Sequence, residues 1–338
     1  TATEVTKSVT TTLTLTAAQQ TAIEDAFTIS ADAGNTNNGT INWDYTITEG
    51  ELDFLAAGET VTVVYTITVD DANTGTDTQD VTVTITGAND APVISVVDVD
   101  ATITEGTTLS DSGSITFADL DLTDTPTATE VTKSVTTALT LTAAQQTAIE
   151  DAFTISADAG NTNNGTINWD YTITEGELDF LAAGETVSVV YTITVDDANG
   201  GTDTQDVTVS ITGANDAPVI SVVDVDAAIT EGTTLNDSGS ITFTDLDLTD
   251  LPTATEATKS VTTSLTLTAA QQTAIEDAFT ISADAGNTND GTINWDYTIT
   301  EGELDFLAAG ETVTVVYTIT VDDANGGTDT QDVTVTIT

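Results

Sequence analysis

The chain contains no cysteine, no histidine and no methionine. These absences exclude thiolate nucleophiles, zinc sites built on Cys or His, and Ser-His-Asp triads. Disulfides are excluded too, so any stapling must come from packing or from bound metal. Positive charge is almost missing: three Lys and no Arg stand against 56 Asp and Glu, for a net charge of −53. Such a chain repels itself, which excludes nucleic acid and anionic membrane as partners and calls for a neutralising cation, most simply a divalent one. No apolar run approaches the ~18 residues of a membrane span. The sequence also opens without Met, signal peptide or charged leader, which reads as a segment from inside a longer polypeptide or a processed product.

What is present is repetition. Thr1-Ala2-Thr3-Glu4 recurs as Thr127-Ala128-Thr129-Glu130 and as Thr253-Ala254-Thr255-Glu256, a period of 126 residues. Residues 1–86 and 127–212 differ only at Thr12/Ala138, Thr62/Ser188, Thr74/Gly200 and Thr84/Ser210. A period this long fits one folded domain per copy rather than one solenoid turn. Near-identical copies suit a spacer, which gains length from each, better than an enzyme.

The composition is that of a folded chain, because 39% of residues are apolar and they alternate with Thr in strand-like runs. Ile167, Trp169, Tyr171 and Ile173 share one face; Val187, Val189, Tyr191, Ile193 and Val195 follow, then Val207, Val209 and Ile211. These read as half-buried antiparallel strands on a common core. Asn164-Gly165 and Asn199-Gly200 predict tight two-residue hairpin turns. Thr142-Ala143-Ala144-Gln145 is a capping-box pattern, predicting a helix of about ten residues that ends near Phe153 with Ile149 and Phe153 on one face.

Turn formers and a proline in Gly87-Ala88-Asn89-Asp90-Ala91-Pro92, repeated from Gly213 to Pro218, set the expected domain boundaries. The expected domains are 1–86, an incomplete first repeat, then 87–212 and 213–338, each complete one with roughly seven strands and one helix. The first lacks the leading 40 residues of the period, hence the strands around Val93–Val99 and Ser114–Phe117. Either the chain is an excerpt or another chain donates those strands.

Five motifs recur in order: Ile103-Thr104-Glu105-Gly106, Phe117-Ala118-Asp119-Leu120-Asp121, Leu181-Ala182-Ala183-Gly184-Glu185-Thr186, Val195-Asp196-Asp197-Ala198-Asn199-Gly200-Gly201 and Gly213-Ala214-Asn215-Asp216-Ala217-Pro218. Through them the whole chain resembles the bacterial cadherin-like repeat of the VCBS type, found in tandem in large secreted adhesins and biofilm proteins. The resemblance implies an all-β fold of tandem immunoglobulin/cadherin-like β-sandwich domains, a location on the bacterial cell surface, a stalk role and Ca2+ between neighbouring domains. Carried over by position, it implies that the second junction draws on Glu105, Asn215, Asp216, Asp245, Asp247 and one of Asp322 or Asp323. The first would use Asn89, Asp90, Asp119, Asp121 and Asp196 or Asp197, its glutamate falling in the part of the period that the first repeat lacks. Gly213 stands where the animal cadherin linker has an acidic residue and Ala217 where it has Asn, which implies fewer or weaker ions.

The residues themselves are compatible with that chemistry. Calcium takes six to eight oxygens, which clustered Asp, Asn and carbonyl groups supply, and Asp119-x-Asp121 places two carboxylates about 7 Å apart on one face of an extended segment. The same residues also read as solvated acids and turn formers at domain ends. Asn38-Gly39-Thr40 and Asn164-Gly165-Thr166 are sequons, but the third copy has Asp290 and keeps only the turn. Threonine runs such as Thr10 to Thr16 read as β-branched strand faces. Trp43, Trp169 and Trp295 read as core residues because they are in phase with Ile and Tyr. Each lone lysine reads as half of a surface salt bridge rather than of an isopeptide bond, and Glu49 with Glu51 are within reach of glycosidase-like chemistry without a groove to support it. A non-enzymatic extracellular stalk is the leading expectation. Its alternatives are a filament subunit completed by strand donation between copies and a sugar-binding adhesive domain with an exposed aromatic platform.

Overall fold

A computed structural model describes residues 1–338. The first repeat contains β1 (Ala2–Thr10), α1 (Ala17–Asp25), β2 (Phe27–Ala31), β3 (Ile41–Tyr45), β4 (Thr60–Asp70) and β5 (Thr76–Thr86). The second contains β6 (Val93–Asp98), β7 (Asp100–Thr104), β8 (Ser110–Ala118), β9 (Thr127–Thr137), α2 (Ala143–Asp151), β10 (Phe153–Ala157), β11 (Asn164–Thr172), β12 (Thr186–Asp196) and β13 (Thr202–Thr212). The third repeats this order as β14 (Val219–Asp224), β15 (Asp226–Ile229), β16 (Asn236–Thr244), β17 (Thr253–Thr263), α3 (Ala269–Glu276), β18 (Phe279–Ala283), β19 (Asp290–Thr298), β20 (Val313–Asp322) and β21 (Thr328–Ile337).

The second repeat is a sandwich of two four-stranded sheets, ordered β10-β11-β8-β6 and β7-β13-β12-β9. The leading segment is split at Val99: β6 pairs antiparallel with β8 in one sheet, and β7 pairs parallel with β13 in the other. That division gives eight strands where about seven are expected from the sequence. The third repeat has the same topology. The chain is thus all-β, a tandem of immunoglobulin/cadherin-like sandwiches each carrying a short helix.

Inward residues of both sheets meet in one core per repeat. In the second it includes Ile115, Trp169, Tyr171, Val189, Tyr191, Ile193, Val207 and Val209, each fully buried aliphatic side chain contributing roughly 1.5–3 kcal/mol. Phe153 stacks on Tyr191 with ring centroids 4.1 Å apart. Helix α2 starts where its capping box requires: the Gln145 amide donates to Thr142 Oγ1 and the Thr142 amide to Gln145 Oε1. It buries only Ile149, so apolar packing holds it weakly. Its last turn is tied instead by tyrosines, Tyr191 donating its hydroxyl to the Ile149 carbonyl at 2.8 Å and Tyr171 to the same oxygen at 3.2 Å. Phe153 is not on the helix face; it opens β10.

The Asn164-Gly165 turn expected from the sequence does not form. Both residues lie in β11, paired with Ala118 and Phe117 of β8, and the reversal falls earlier, at Gly160 with φ of 96°. The Asn161 side chain bridges that loop by accepting from the Thr166 amide and donating to its carbonyl. Asn199-Gly200 does lie at a reversal, but in a longer loop from Asp197 to Gly201, with positive φ at Ala198 and Gly200.

The first repeat has only a three-stranded sheet, β1-β4-β5, and a hairpin of β2 with β3. With no counterpart of β8 beside β3, Trp43 is 51% exposed, whereas Trp169 and Trp295 are 1% exposed. No helix is long and apolar enough to cross a membrane.

Candidate metal centre at the repeat junctions

Each repeat hands over to the next through a six-residue linker, 87–92 or 213–218, between the last strand of one and the first of the next. Strand pairing brings distant acids to these linkers. At the second junction Glu105, in the turn after β7, is buried beside the linker because its own amide bonds to the Thr212 carbonyl. Its Oε2 accepts from the Ala214 amide at 2.8 Å. Glu105, Asp179 and Asp216 each place a carboxylate oxygen within 4.8 Å of the others.

From the following repeat comes the loop after β16. Asn289 fixes it by donating to the Asp245 carbonyl, while the Asp245 amide bonds to the Asn289 carbonyl. Here Asp245, Asp247 and Asp250 are all buried, with oxygens within 4.8 Å of one another. The Asp216 amide of the linker donates to Asp247 Oδ2 at 3.0 Å, which joins linker to loop. Asp323 is buried under the linker, its Oδ1 accepting from the amides of Asn325, Gly326 and Gly327 and its Oδ2 from the Asn215 side chain. A Cβ at Gly327 would collide with Asp323 Oδ2 and with the linker at Ala217, so only glycine permits this close approach.

The first junction repeats this geometry with Asn89, Asp90, Asp119, Asp121, Asp124 and Asp197. Asp119, Asp121 and Asp124 form the buried triad, the Asp90 amide donates to Asp121 Oδ2 at 2.9 Å and Asn89 donates to Asp197. On the preceding side Asp53 occupies the position of Asp179. A further set, Glu231, Glu301 and Asp305, has its oxygens within 4.8 Å at the opposite end of the third repeat and is more exposed.

The electrostatics are uncompensated. Lys7, Lys133 and Lys259 pair with Asp80, Asp206 and Asp332 on the strand faces, as surface salt bridges, so none serves a junction. Burial pushes Glu105 up to about 7, helped by Asp216, Glu175 and Asp179 against the Ala214 hydrogen bond. Burial, with Asp250, Asp245 and Asp216 nearby, pushes Asp247 up to about 7, and Asp121 is raised to about 6 in the same way. Asp119, Asp216 and Asp245 are raised by burial as well. Asp197 and Asp323 go down: burial opposes their charge, but the amide and asparagine donors together outweigh it.

The residues present fit a hard cation. Buried side-chain atoms without a hydrogen-bond partner are Asn89 Oδ1, Glu105 Oε1, Asp119 Oδ2, Asp121 Oδ1, Asn215 Oδ1, Asp245 Oδ2 and Asp247 Oδ1. All are acceptor oxygens, and all lie at the junctions. Buried unsatisfied groups are costly, and a set made only of oxygen acceptors is the donor set of calcium.

Burial separates the residues that the resemblance left as pairs. Asp197 and Asp323 are buried among the other acids. Asp196 and Asp322 are exposed at strand ends, and each caps its own loop by accepting from the amide of Ala198 or Ala324. Neither faces the cluster. Sequence reasoning missed Asp124, Asp250 and Asp179. The first two were readable as the third acid of Asp119-x-Asp121-x-x-Asp124 and its repeat, whereas Asp179 is 74 residues from Glu105 and nothing local marks it. Glu51 is engaged in a capping box with Thr48 rather than paired with Glu49.

No family model matches the chain, and no curated protein does. Solved structures similar to it include PcdhgB3 EC1-4, 15% identical over 93% of this chain and 65% of that one, with a TM-score of 0.41. Others are protocadherin gamma B2 extracellular cadherin domains 1-5, at 14% identity over 92% and 52% with a TM-score of 0.42, and the human desmocollin-1 ectodomain, at 14% over 93% and 51% with a TM-score of 0.34. The chain therefore spans less than two thirds of the length of each of these three proteins.

Proposed function

We propose that the chain is part of an extracellular stalk or fibre, in which Ca2+ at the junctions between cadherin-like repeats stiffens the array and extends an adhesin or biofilm matrix protein from a bacterial cell surface. The observation that carries this reading is the set of buried, unpartnered acceptor oxygens contributed by both repeats and by the linker between them. Calcium, when bound, supplies the positive charge that the junctions lack and a demand for six to eight oxygens. Glu105 and Asp179 would hold it from the preceding repeat, Asn215 and Asp216 from the linker, and Asp245, Asp247, Asp250 and Asp323 from the following one. Without a cation these carboxylates repel one another and loosen the hinge; as shared ligands the same groups join two repeats into one body.

Small-angle scattering with calcium and with excess chelator tests the reading. The maximum dimension or its spread should change between the two conditions. A profile indifferent to chelator would overturn it.

The sugar-binding alternative loses its candidates in the complete repeats, because Trp169, Tyr171, Trp295 and Tyr297 are fully buried.

A further inference from the structure

Two motifs are only partly used by the cation cluster: the residues between the acids of the Asp245 to Asp250 loop, and the Leu181 to Thr186 segment of the preceding repeat. They meet each other. The Leu248 amide donates to the Phe180 carbonyl at 3.4 Å, and Thr249 Oγ1 donates to Glu185 Oε1 at 3.0 Å. Leu246 closes one side of an open groove of about 420 Å³ whose other walls include Ala144, Ala148 and Phe180. The first junction has the same contacts, Leu122 to Phe54 at 3.4 Å and Thr123 to Glu59 at 3.1 Å, with Leu120 over Ala18, Ala22 and Phe54.

We propose that this contact is a metal-independent grip between neighbouring repeats: the acidic loop holds the preceding repeat through Leu246, Leu248 and Thr249, and so fixes the direction in which the hinge bends. The surface that receives it is preformed. Glu185 Oε2 already accepts from the Ala182 amide, which leaves Oε1 free to face outward. In the third repeat the Ala308 amide donates to Glu311 Oε2 in the same way, at 2.9 Å. The loop is built for the grip as well as for the cation: Asp245, Asp247 and Asp250 are buried, while Leu246, Leu248 and Thr249 are exposed, with Leu246 lining the groove of the preceding repeat and Thr249 bonded to Glu185. Two hydrogen bonds and half-covered leucines form a small contact, and small contacts between domains permit motion. The grip therefore biases the hinge without locking it, and it holds the acids near the linker. Leu246 and Thr249 are positioning residues, not ligands.

The proposal deepens the stalk reading and depends on it for its purpose, so the test separates the two. Because the chain has no cysteine, Thr154→Cys and Thr280→Cys on exposed strand positions accept spin labels uniquely, and pulsed dipolar spectroscopy then gives the distance distribution between the second and third repeats. In excess chelator, Leu246→Asp and, separately, Thr249→Val should broaden that distribution by about twofold, as expected for a domain pair losing a small interface. Val223→Asp, on exposed β14 away from the groove, should leave it unchanged. Equal widths for the parent and both grip variants would overturn the proposal. If calcium fails to narrow the parent distribution while the grip variants still broaden it in chelator, the calcium reading falls and the grip stands.

Discussion

Asn215 donates its side-chain amide to Asp323 Oδ2 at 2.9 Å across 108 residues of chain, and this bond turns its own Oδ1 into the junction, where it is buried without a partner. The same amide also donates to the Asp216 carbonyl. Asn215 is thus fixed at both donors and free only at its acceptor. Asn215→Ala removes one oxygen and the donor that orients Asp323. Calcium affinity at the second junction should fall by about 10- to 100-fold, the usual effect of losing an orienting partner, as read by calorimetric titration.

Acidity should stabilise the metal-free chain. Glu105, Asp121 and Asp247 have folded values of about 7, 6 and 7, above the ~4 of unfolded carboxylates. Between pH 4 and 7 the folded state therefore binds more protons than the unfolded one, and stability falls as pH rises through that window. Asp197 and Asp323 act oppositely, but only as pH drops below their unfolded value. The denaturant midpoint in chelator should be higher at pH 5 than at pH 8. With calcium the order should reverse, since protons compete for the same oxygens.

Tyr191→Phe should destabilise the second repeat by about 0.5–1.5 kcal/mol, the net worth of one hydrogen bond, because Tyr171 still donates to the Ile149 carbonyl. The hydroxyl is the shorter of the two bonds to the Ile149 carbonyl, and α2 has only one buried side chain of its own. Hydrogen exchange should show the loss first in α2.

Much of the fold was legible because it depends on local alternation. The inward phase of Trp169, Tyr171, Tyr191 and Val209 is written in period 2, and the Thr142–Gln145 capping box marks the helix start to the residue. The Asn164-Gly165 turn was misread because long-range pairing overrides local turn preference: Asn163 donates to the Asp119 carbonyl and the Asp119 amide to the Asn163 carbonyl, extending β8 and β11 past it. At the candidate site the linker and Asp119-x-Asp121 motifs located the acids, but not which oxygens lack partners. The choice of Asp197 over Asp196 was within reach, since Val195 points inward and the next inward position is Asp197. Asp179 was not, because only the folding of a 3-10 turn at Glu175–Glu177 brings it beside Glu105.

Both junctions use the same bonds at nearly the same lengths, from Asp90 or Asp216 to the acidic loop and from that loop back to Phe54 or Phe180. Where every junction is held alike, an equal rotation and translation at each step would trace a screw, with a pitch set by a few side chains. One altered junction then acts as a phase error, redirecting every unit beyond it.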